Sequence, residues 1–413
     1  MTYPVSFLML GHQARAFSET AKTSLRGVTR MTGPRGLFFA ISAALPVSVC
    51  AAATLHVPSE YPTIDAGIVA AQVGDTVLVA PGVYTGTGNK SLSFYGKDIV
   101  LKSEAGPEQT IIDVEANFRA PGRGILIDGG ESEACVLDGF TIQNGFMSTQ
   151  PDLAPSSDLH DLSAGGFKVN LLSRPTIKNM IVRNCHSQFT GGGVSIEIQS
   201  APTLINVRII GCSSETQGGG ISIESGSYPV VQGCAFTGNR ALIGGGMSCD
   251  SSPFSGPIPQ IIDCTVAGNY ARDNGGGIFC AAFSKTTFER MAVDGNCSGV
   301  AGGDIWIEPI AEATFQCSVI DSSGVDIDPD GVVDFSKDNV LDVPPGFCDP
   351  DTCTASPSTA GDYGVSEDSP CLARNSPCGA RIGGIGRGAC APVSPVVETS
   401  WGKLKDILGR PGK

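Results

Sequence analysis

The chain has 413 residues, 54 of them glycine, only 7% aromatic residues, and a formal charge of −14. Balanced hydropathy over that length excludes wholesale disorder, and the acidity argues against nucleic acid or an anionic membrane as partner. Beyond residue 53 the imbalance sharpens to 22 basic against 40 acidic residues, a formal −18.

In chain order, residues 1–53 read as an export leader, with the signal peptide at 31–53. Arg35 precedes an apolar run from Leu37 to Val47, and Cys50-Ala-Ala-Ala53 supplies small residues for cleavage. Thr54 to Pro58 is then a short first strand. Thr63 to Val73 has apolar residues at helical spacing behind a Thr start and is the predicted helix. Strands follow in Gly74-Asp75-Thr-Val-Leu-Val-Ala-Pro-Gly-Val-Tyr84, at Leu92–Phe94, at Ile99–Lys102 and at Thr110–Asp113.

Gly122-Arg123-Gly124-Ile-Leu-Ile-Asp128 opens a repeat. It continues as Ala164-Gly-Gly-Phe-Lys-Val169, Gly191-Gly-Gly-Val-Ser-Ile196, Gly218-Gly-Gly-Ile-Ser-Ile223, Gly244-Gly-Gly-Met-Ser-Cys249, Gly275-Gly-Gly-Ile-Phe-Cys280 and Gly302-Gly-Asp-Ile-Trp-Ile307. From Ala164 the starts lie 27, 27, 26, 31 and 27 residues apart. A fixed period of that size means that each unit cannot bury its own apolar face and must stack on the next. Alternation with period two and abundant Gly, Val, Ile and Thr exclude a helical repeat. The unit is therefore one coil of a parallel β-helix, an all-β solenoid over 54–320, and the helix at 63–73 caps its open apolar end.

A second signature closes the repeats: Ile181-Val-Arg-Asn184, Phe236-Thr-Gly-Asn239, Val266-Ala-Gly-Asn269 and Val293-Asp-Gly-Asn296, with Gly211 in place of Asn in one coil. An Asn tolerates left-handed corner angles, and its amide can bond the same amide one coil away. That makes the column a structural ladder. Residues 147–163 are polar, with two prolines, and form a loop bulging from one coil. Residues 321–392 form an acidic, Cys-rich and strand-poor C-terminal segment. Residues 393–413 are a Pro/Val linker and a short basic amphipathic tail from Trp401. Fifteen cysteines fit an oxidising compartment. Cys348, Cys353, Cys371, Cys378 and Cys390 are expected to be disulfide staples. For Cys234 with Cys264, and Cys249 with Cys280, stacked thiols and stacked disulfides both remain open.

The two signatures together resemble the repeats of chlamydial-type polymorphic outer membrane proteins, in which a Gly-Gly-apolar element alternates with Phe-x-x-Asn. Phe236-Thr-Gly-Asn239 matches fully, and the resemblance covers about 164–307. More broadly, Val57-Pro-x-x-Tyr-Pro-Thr-Ile64 and the stretch 74–84 are similar to the first coil of the pectin-lyase-like right-handed β-helix superfamily. That resemblance implies a right-handed solenoid, and a bacterial protein that is secreted or held at the cell surface or outer membrane. It leaves the activity open. The motifs that mark enzymes on this scaffold are missing, namely the Asn-Thr-Asp and Gly-His-Gly set, Trp-Ile-Asp-His, and Asp-Pro-His. The three histidines beyond the leader, His56, His160 and His186, stand in unrelated contexts, which speaks against His-based catalysis or a metal triad.

Chemistry is instead expected in columns. In the strand after each glycine run the first and third residues point inward, and the second and fourth point out. The fourth positions are Asp128, Asn170, Glu197, Glu224, Asp250, Ala281 and Glu308. Such a column is a solvated acidic edge, a Ca²⁺- or ligand-binding array, or a source of paired carboxylates for glycoside chemistry. The second positions end in Phe279 and Trp306, expected as surface neighbours that stack on a sugar face or lie beneath the C-terminal segment. Asp326-Ile-Asp328-Pro-Asp330-Gly331-Val-Val-Asp334 mimics a Ca²⁺ loop, although Lys337 stands where a bidentate Glu belongs. No cofactor is required by any of these readings, and Ca²⁺ is the one ion for which ligands are on offer.

The sequence thus points to an exported, non-enzymatic, adhesin-like or glycan-binding rod whose partner is a polysaccharide or cell-surface glycan. The rivals are a polysaccharide lyase or glycoside hydrolase acting on acidic polysaccharide, and a structural envelope component. Lys168, beside Asn170, is the only cation near the acidic column by sequence. A catalyst would need it, or another base, to converge on Glu197, Glu224 and Asp250 in an open cleft.

Overall fold

The computed structural model describes residues 51–149, 162–250, 257–334, 340–376, 378–386, 388 and 390. Residues 1–50 of the leader, most of the 147–163 loop and the Trp401 tail lie outside them. The strands form sheets of 18, nine and six members, and every pairing within these three is parallel. Residues one repeat apart are hydrogen-bonded neighbours: Val194 pairs with Ile221, Ile221 with Met247, Met247 with Ile278, and Ile278 with Ile305. The fold is a right-handed parallel β-helix. Nine strands stack in the sheet that follows the glycine runs, so eight turns separate the first from the last. The solenoid also runs past residue 320, because Val325–Ile327 and Val332–Asp334 still add to it.

Inward residues make one continuous apolar column, including Phe94, Phe140, Phe167, Phe236, Phe288 and Phe315, all fully buried. Phe288 and Phe315 stack in neighbouring coils with ring centroids 4.5 Å apart. The glycine runs allow adjacent coils to touch through their backbones. A Cβ on Gly219 would lie 2.3 Å from the Arg240 carbonyl oxygen, and one on Gly245 would lie 2.4 Å from that of Gly276. The helix Ile64–Ala70 caps the first coil. Thr63 accepts a hydrogen bond from the Ala66 N–H at 3.2 Å, and Ile64, Gly67 and Ile68 are buried over the end of the stack. Lys97 Nζ donates to the carbonyls of Ile68, Val69 and Ala71, which closes the helix C-terminus.

The buried ladder contains Asn239, Asn269 and Asn296. Asn239 Nδ2 donates to Asn269 Oδ1 at 3.0 Å, Asn269 Nδ2 to Asn296 Oδ1 at 2.8 Å, and Asn296 Nδ2 to Asp304 Oδ1 at 2.8 Å. Asn184 is not a member. Register places it with Gly211, next after the paired Arg183 and Ile210, at a corner where both have positive φ (53° and 61°). The ladder slot in those coils is held by Cys185 and Cys212, both buried. Asn184 thus stands one residue before the slot that the motif predicts for it, because Asn suits the corner as well as the slot behind it.

Six repeat cysteines, Cys185, Cys212, Cys234, Cys249, Cys264 and Cys280, are buried free thiols, which settles the open pairs in favour of stacked thiols. Cys297 and Cys317 instead bond to Cys353 and Cys378, and Cys348 to Cys390, while Cys371 is free. Two of three disulfides therefore fasten the C-terminal segment to the solenoid. This segment includes an antiparallel hairpin, Phe347–Asp349 with Asp362–Val365. It packs Tyr363, Val365 and Ile382 against Ala267, Ala292 and Val319.

Asn269→Ala would take the acceptor from two buried donors, the backbone N–H and Nδ2 of Asn239, and the donor from the Phe236 carbonyl and Asn296 Oδ1. With an unsatisfied buried group costing about 1–3 kcal/mol, the expected loss is roughly 3–5 kcal/mol, read as a lower midpoint in chemical denaturation.

Candidate functional site

The strands after the glycine runs bring the predicted acidic column together. Ser195 pairs with Ser222 and Ile196 with Ile223, while Glu224 pairs with Asp250, so Glu197, Glu224 and Asp250 follow one another on one outer face. Lys168 pairs with Ser195 and reaches Glu197, its Nζ 3.1 Å from Oε2. The column is not continuous beyond these three. Asn170 separates Asp128 from Glu197, and Ala281 separates Asp250 from Glu308. Glu308 Oε2 accepts the Ala282 N–H at 2.9 Å.

This face is not uniformly solvated: Asp128, Asp250 and Glu308 are half-buried, and the stretch between them is closed. Lys168 is 3% exposed, Glu197 0% and Glu224 6%, and Ser195, Ser222 and Ser248 are fully buried. The turn that carries the glycines is one cause. The first glycine of each run has positive φ and folds back toward its own strand. A Cβ on Gly191 would lie 3.0 Å from Ser195 Cα, and one on Gly218 would lie 2.9 Å from Ser222 Cα. Thr190 and Gln217, just before two of these runs, hydrogen-bond Glu224 and Asp250 respectively. Outward along a strand therefore does not mean exposed here.

Polar groups inside the lane satisfy one another. Ser195 Oγ donates to Glu197 Oε1 at 2.6 Å and Ser222 Oγ to Glu224 Oε1 at 2.5 Å. Burial pushes the Glu224 carboxyl above the usual carboxylate range. Hydrogen bonds from Ser222 and Thr190 pull it back, and the neighbouring Glu197 and Asp250 push it further up. Asp250 is likewise raised by burial, with a bond from Gln217 opposing and Glu308 adding to the shift. At the foot of the Asn ladder, Asp304 is pushed up to about 7, again chiefly by burial, and Asp294 to about 6.

The aromatic pair is placed as neighbours, since Phe279 registers with Trp306, but not as an exposed platform. Phe279 is 2% exposed, pressed by the turns at Gly244 and Gly275, and Trp306 is half-buried. The described part of the C-terminal segment packs on another sheet, so it is not their cover. The proposed Ca²⁺ string is also dispersed. Asp326 lies in the strand Val325–Ile327 and accepts the Gly302 N–H at 2.7 Å, whereas Asp334 ends the next strand, paired with Thr314. Asp328 accepts the Asp330 N–H, so these two belong to the turn between those strands. Among the described residues no three His, Cys, Asp or Glu side chains converge as a metal site.

An open site lies elsewhere, on the sheet that carries the second and third faces of each coil. Strands Thr176–Arg183 and Thr203–Ile210 each bend at one left-handed residue, Asn179 and Asn206, both with φ of 54°. Gly139 and Gly233 hold positive φ at the neighbouring bends. Along this column runs a cavity of about 700 Å³, bounded by the loop 104–109 at one end and by 384–386 of the C-terminal segment at the other. Asn206 Nδ2 donates to Asn179 Oδ1 at 3.0 Å, and Asn179 Nδ2 to Asp138 Oδ1 at 2.8 Å. Arg208 bridges to Glu108 on the loop at 2.8 Å. Sequence reading passed over these residues. The available signal was a phase slip: inward residues fall at Ile177 then Met180, and at Leu204 then Val207, three apart instead of two.

Residues 110–309 match a family model described as "Right handed beta helix region". No curated protein matches the chain. Among solved structures, the A-module of the Azotobacter vinelandii mannuronan C-5 epimerase AlgE4 is 15% identical and covers 67% of this chain and 89% of its own, with a TM-score of 0.34. That likeness is too loose to speak to activity.

Two outcomes follow from the buried charges. Lys168→Met removes the ammonium beside Glu197 and should cost about 3–5 kcal/mol, the usual result of breaking a buried ion pair from one side, measured by denaturant unfolding. Asp304 and Asp294 bind their protons more tightly when folded than the ordinary carboxylate value of 3.8. Their contribution to stability is complete below that value and is lost as pH rises through about 6 and 7. The melting temperature should therefore fall between pH 5 and pH 8, and Asp304→Asn, which keeps an acceptor for Asn296, should flatten that slope; an unchanged slope would assign it to other groups.

Proposed function

Because residues 110–309 belong to the right-handed β-helix family, whose members' functions lie in sites carried on the scaffold, we propose that this chain is an exported, non-enzymatic glycan-binding rod at the bacterial surface or beyond it. The leader-like residues 31–53 and the disulfide-bonded C-terminal segment support export. Among the described residues no helix is long and apolar enough to cross a membrane.

The observation that carries the non-enzymatic reading is the burial of Lys168, Glu197 and Glu224 in the acidic lane. Lyase chemistry needs a base beside the sugar, with charge stabilisation, in a cleft that admits the chain. The lane holds half of this. Lys168 does converge on Glu197, but both are nearly inaccessible, and the carboxylates accept hydrogen bonds from their own serines. The bend column, by contrast, offers the half-buried Asn179 amide and the exposed Asn206 amide, which suit recognition of hydroxyl groups.

The test is incubation of the purified protein with uronic-acid polymers, with and without Ca²⁺, following the absorbance of unsaturated product, alongside depletion of the protein by insoluble polysaccharides. We expect depletion without product. Product that disappears in Glu224→Ala would establish the lyase alternative, and neither product nor depletion would favour a structural envelope role.

A further inference from the structure

Resting on the glycan-binding reading, we infer that the ligand site is the bend-column groove, and that it takes a neutral, linear saccharide lying along the solenoid axis, with about one sugar unit per coil. The groove spans the coils of Asp138, Asn179, Asn206 and Gly233, three steps of roughly 4.8 Å each. A pyranose unit is about as long as one such step. Amides repeated once per coil can therefore meet hydroxyls repeated once per sugar.

The array is oriented before any ligand arrives. Asp138 is 9% exposed and holds Lys178 Nζ at 3.6 Å from one oxygen, while the other accepts Asn179 Nδ2. That fixes the Asn179 amide with its oxygen toward Asn206, and Asn206 in turn donates to it. Each amide keeps a second N–H beyond the bond within the ladder, and the exposed Asn206 amide is the last of the row. There Gly233 bears no side chain, so the row of side chains stops and the groove floor continues. Buried Met180 and Ala235 give that floor apolar surface, and a volume of about 700 Å³ is in the range of small-ligand sites.

Charge selects the ligand class. The groove is lined by Lys102 and Arg208 against Glu104, Glu108 and Asp138, and Arg208 is already paired with Glu108. With Lys178, held by Asp138, the charges at the groove balance, and a groove with no cationic excess on a strongly acidic chain gives uronate polymers no net attraction and leaves neutral hydroxyl-rich chains as the fitting class. The two ends are built differently. The loop 104–109 is tied down by Thr141 Oγ1 donating to the Pro107 carbonyl at 2.7 Å. At the other end Gly384 lies against Gly233 and Cys234 so closely that a Cβ there would be 2.2 Å from the Cys234 carbonyl oxygen. The disulfide-fastened C-terminal segment thus stops the groove at a defined coil.

The test uses the exported chain and isothermal titration with short glucan, xylan, mannan and galactan fragments, with oligogalacturonate and alginate fragments as the acidic arm. The variants are Asn179→Gly and Asn206→Gly, singly and together. Glycine tolerates the left-handed bends, as Gly139 and Gly233 already do, so the melting temperature checks that folding is retained. The expected result is binding of at least one neutral fragment, weakened about tenfold or more in the double variant. Neutral binding that is unchanged in a folded double variant overturns the groove while sparing the glycan-binding reading. Tighter binding of the acidic fragments overturns the ligand class. Failure of every fragment to bind removes the glycan-binding reading itself.

Discussion

Backbone-to-backbone contact between successive coils is the constraint on which the molecule rests. Each strand must lie in register on the one before it, at a spacing that leaves no room for a side chain where the turns cross. Gly192, Gly219, Gly245 and Gly276 stand at those crossings, and in each case an added Cβ would fall within about 2.5 Å of a neighbouring carbonyl oxygen. Once the crossings are met, every other property of the chain becomes a column. Phenylalanines stack on phenylalanines, amides on amides, thiols on thiols and acids on acids. A column of neutral groups gains from repetition, since an amide both donates and accepts. A column of like charges does not, and the chain handles its acidic column by burial, internal hydroxyl donors and one lysine.

That treatment separates two polar features that look alike in sequence. The Glu197–Glu224–Asp250 lane and the Asp138–Asn179–Asn206 array both run along the rod with one member per coil. The lane lies under its own glycine turns, where a low dielectric raises carboxyl pKa values and rewards internal bonding. The array lies at a bend whose left-handed residues push their side chains away from the core, and it is open over part of its length. Accessibility, more than residue type, decides which of the two can meet a ligand.

The C-terminal segment shows how a solenoid acquires a boundary. It carries little regular structure and draws its stability from disulfides and from fitting against glycine corners. The Ser358 N–H donates to the Gly238 carbonyl at 2.8 Å, and a Cβ on Gly268 would fall 2.1 Å from the Tyr363 hydroxyl. Cross-links closing loops of 42 to 61 residues restrict the unfolded chain as well as the folded one. By covering the later coils of one face, the segment also leaves the earlier coils of that face as a groove.

Much of this was legible in the residues. The glycine period required stacking, alternation chose strands over helices, and the apolar run behind Thr63 announced the cap, because each is a local pattern repeated until chance is excluded. Even the adjacency of Glu197, Glu224 and Asp250 followed from counting residues between repeats. What only the tertiary structure decided was the environment of those residues. Alternation tells which side of a strand a side chain takes, but not whether a turn lies over that side, so Ser195, Glu197 and Phe279 point outward along their strands and are nonetheless buried. A one-residue ambiguity between a corner and the slot behind it put Asn184 in the wrong column, since asparagine satisfies both. The cysteine partners and the groove beside Asn206 depend on contacts between segments tens of residues or a hundred residues apart, and no periodicity within the chain encodes the distance between them.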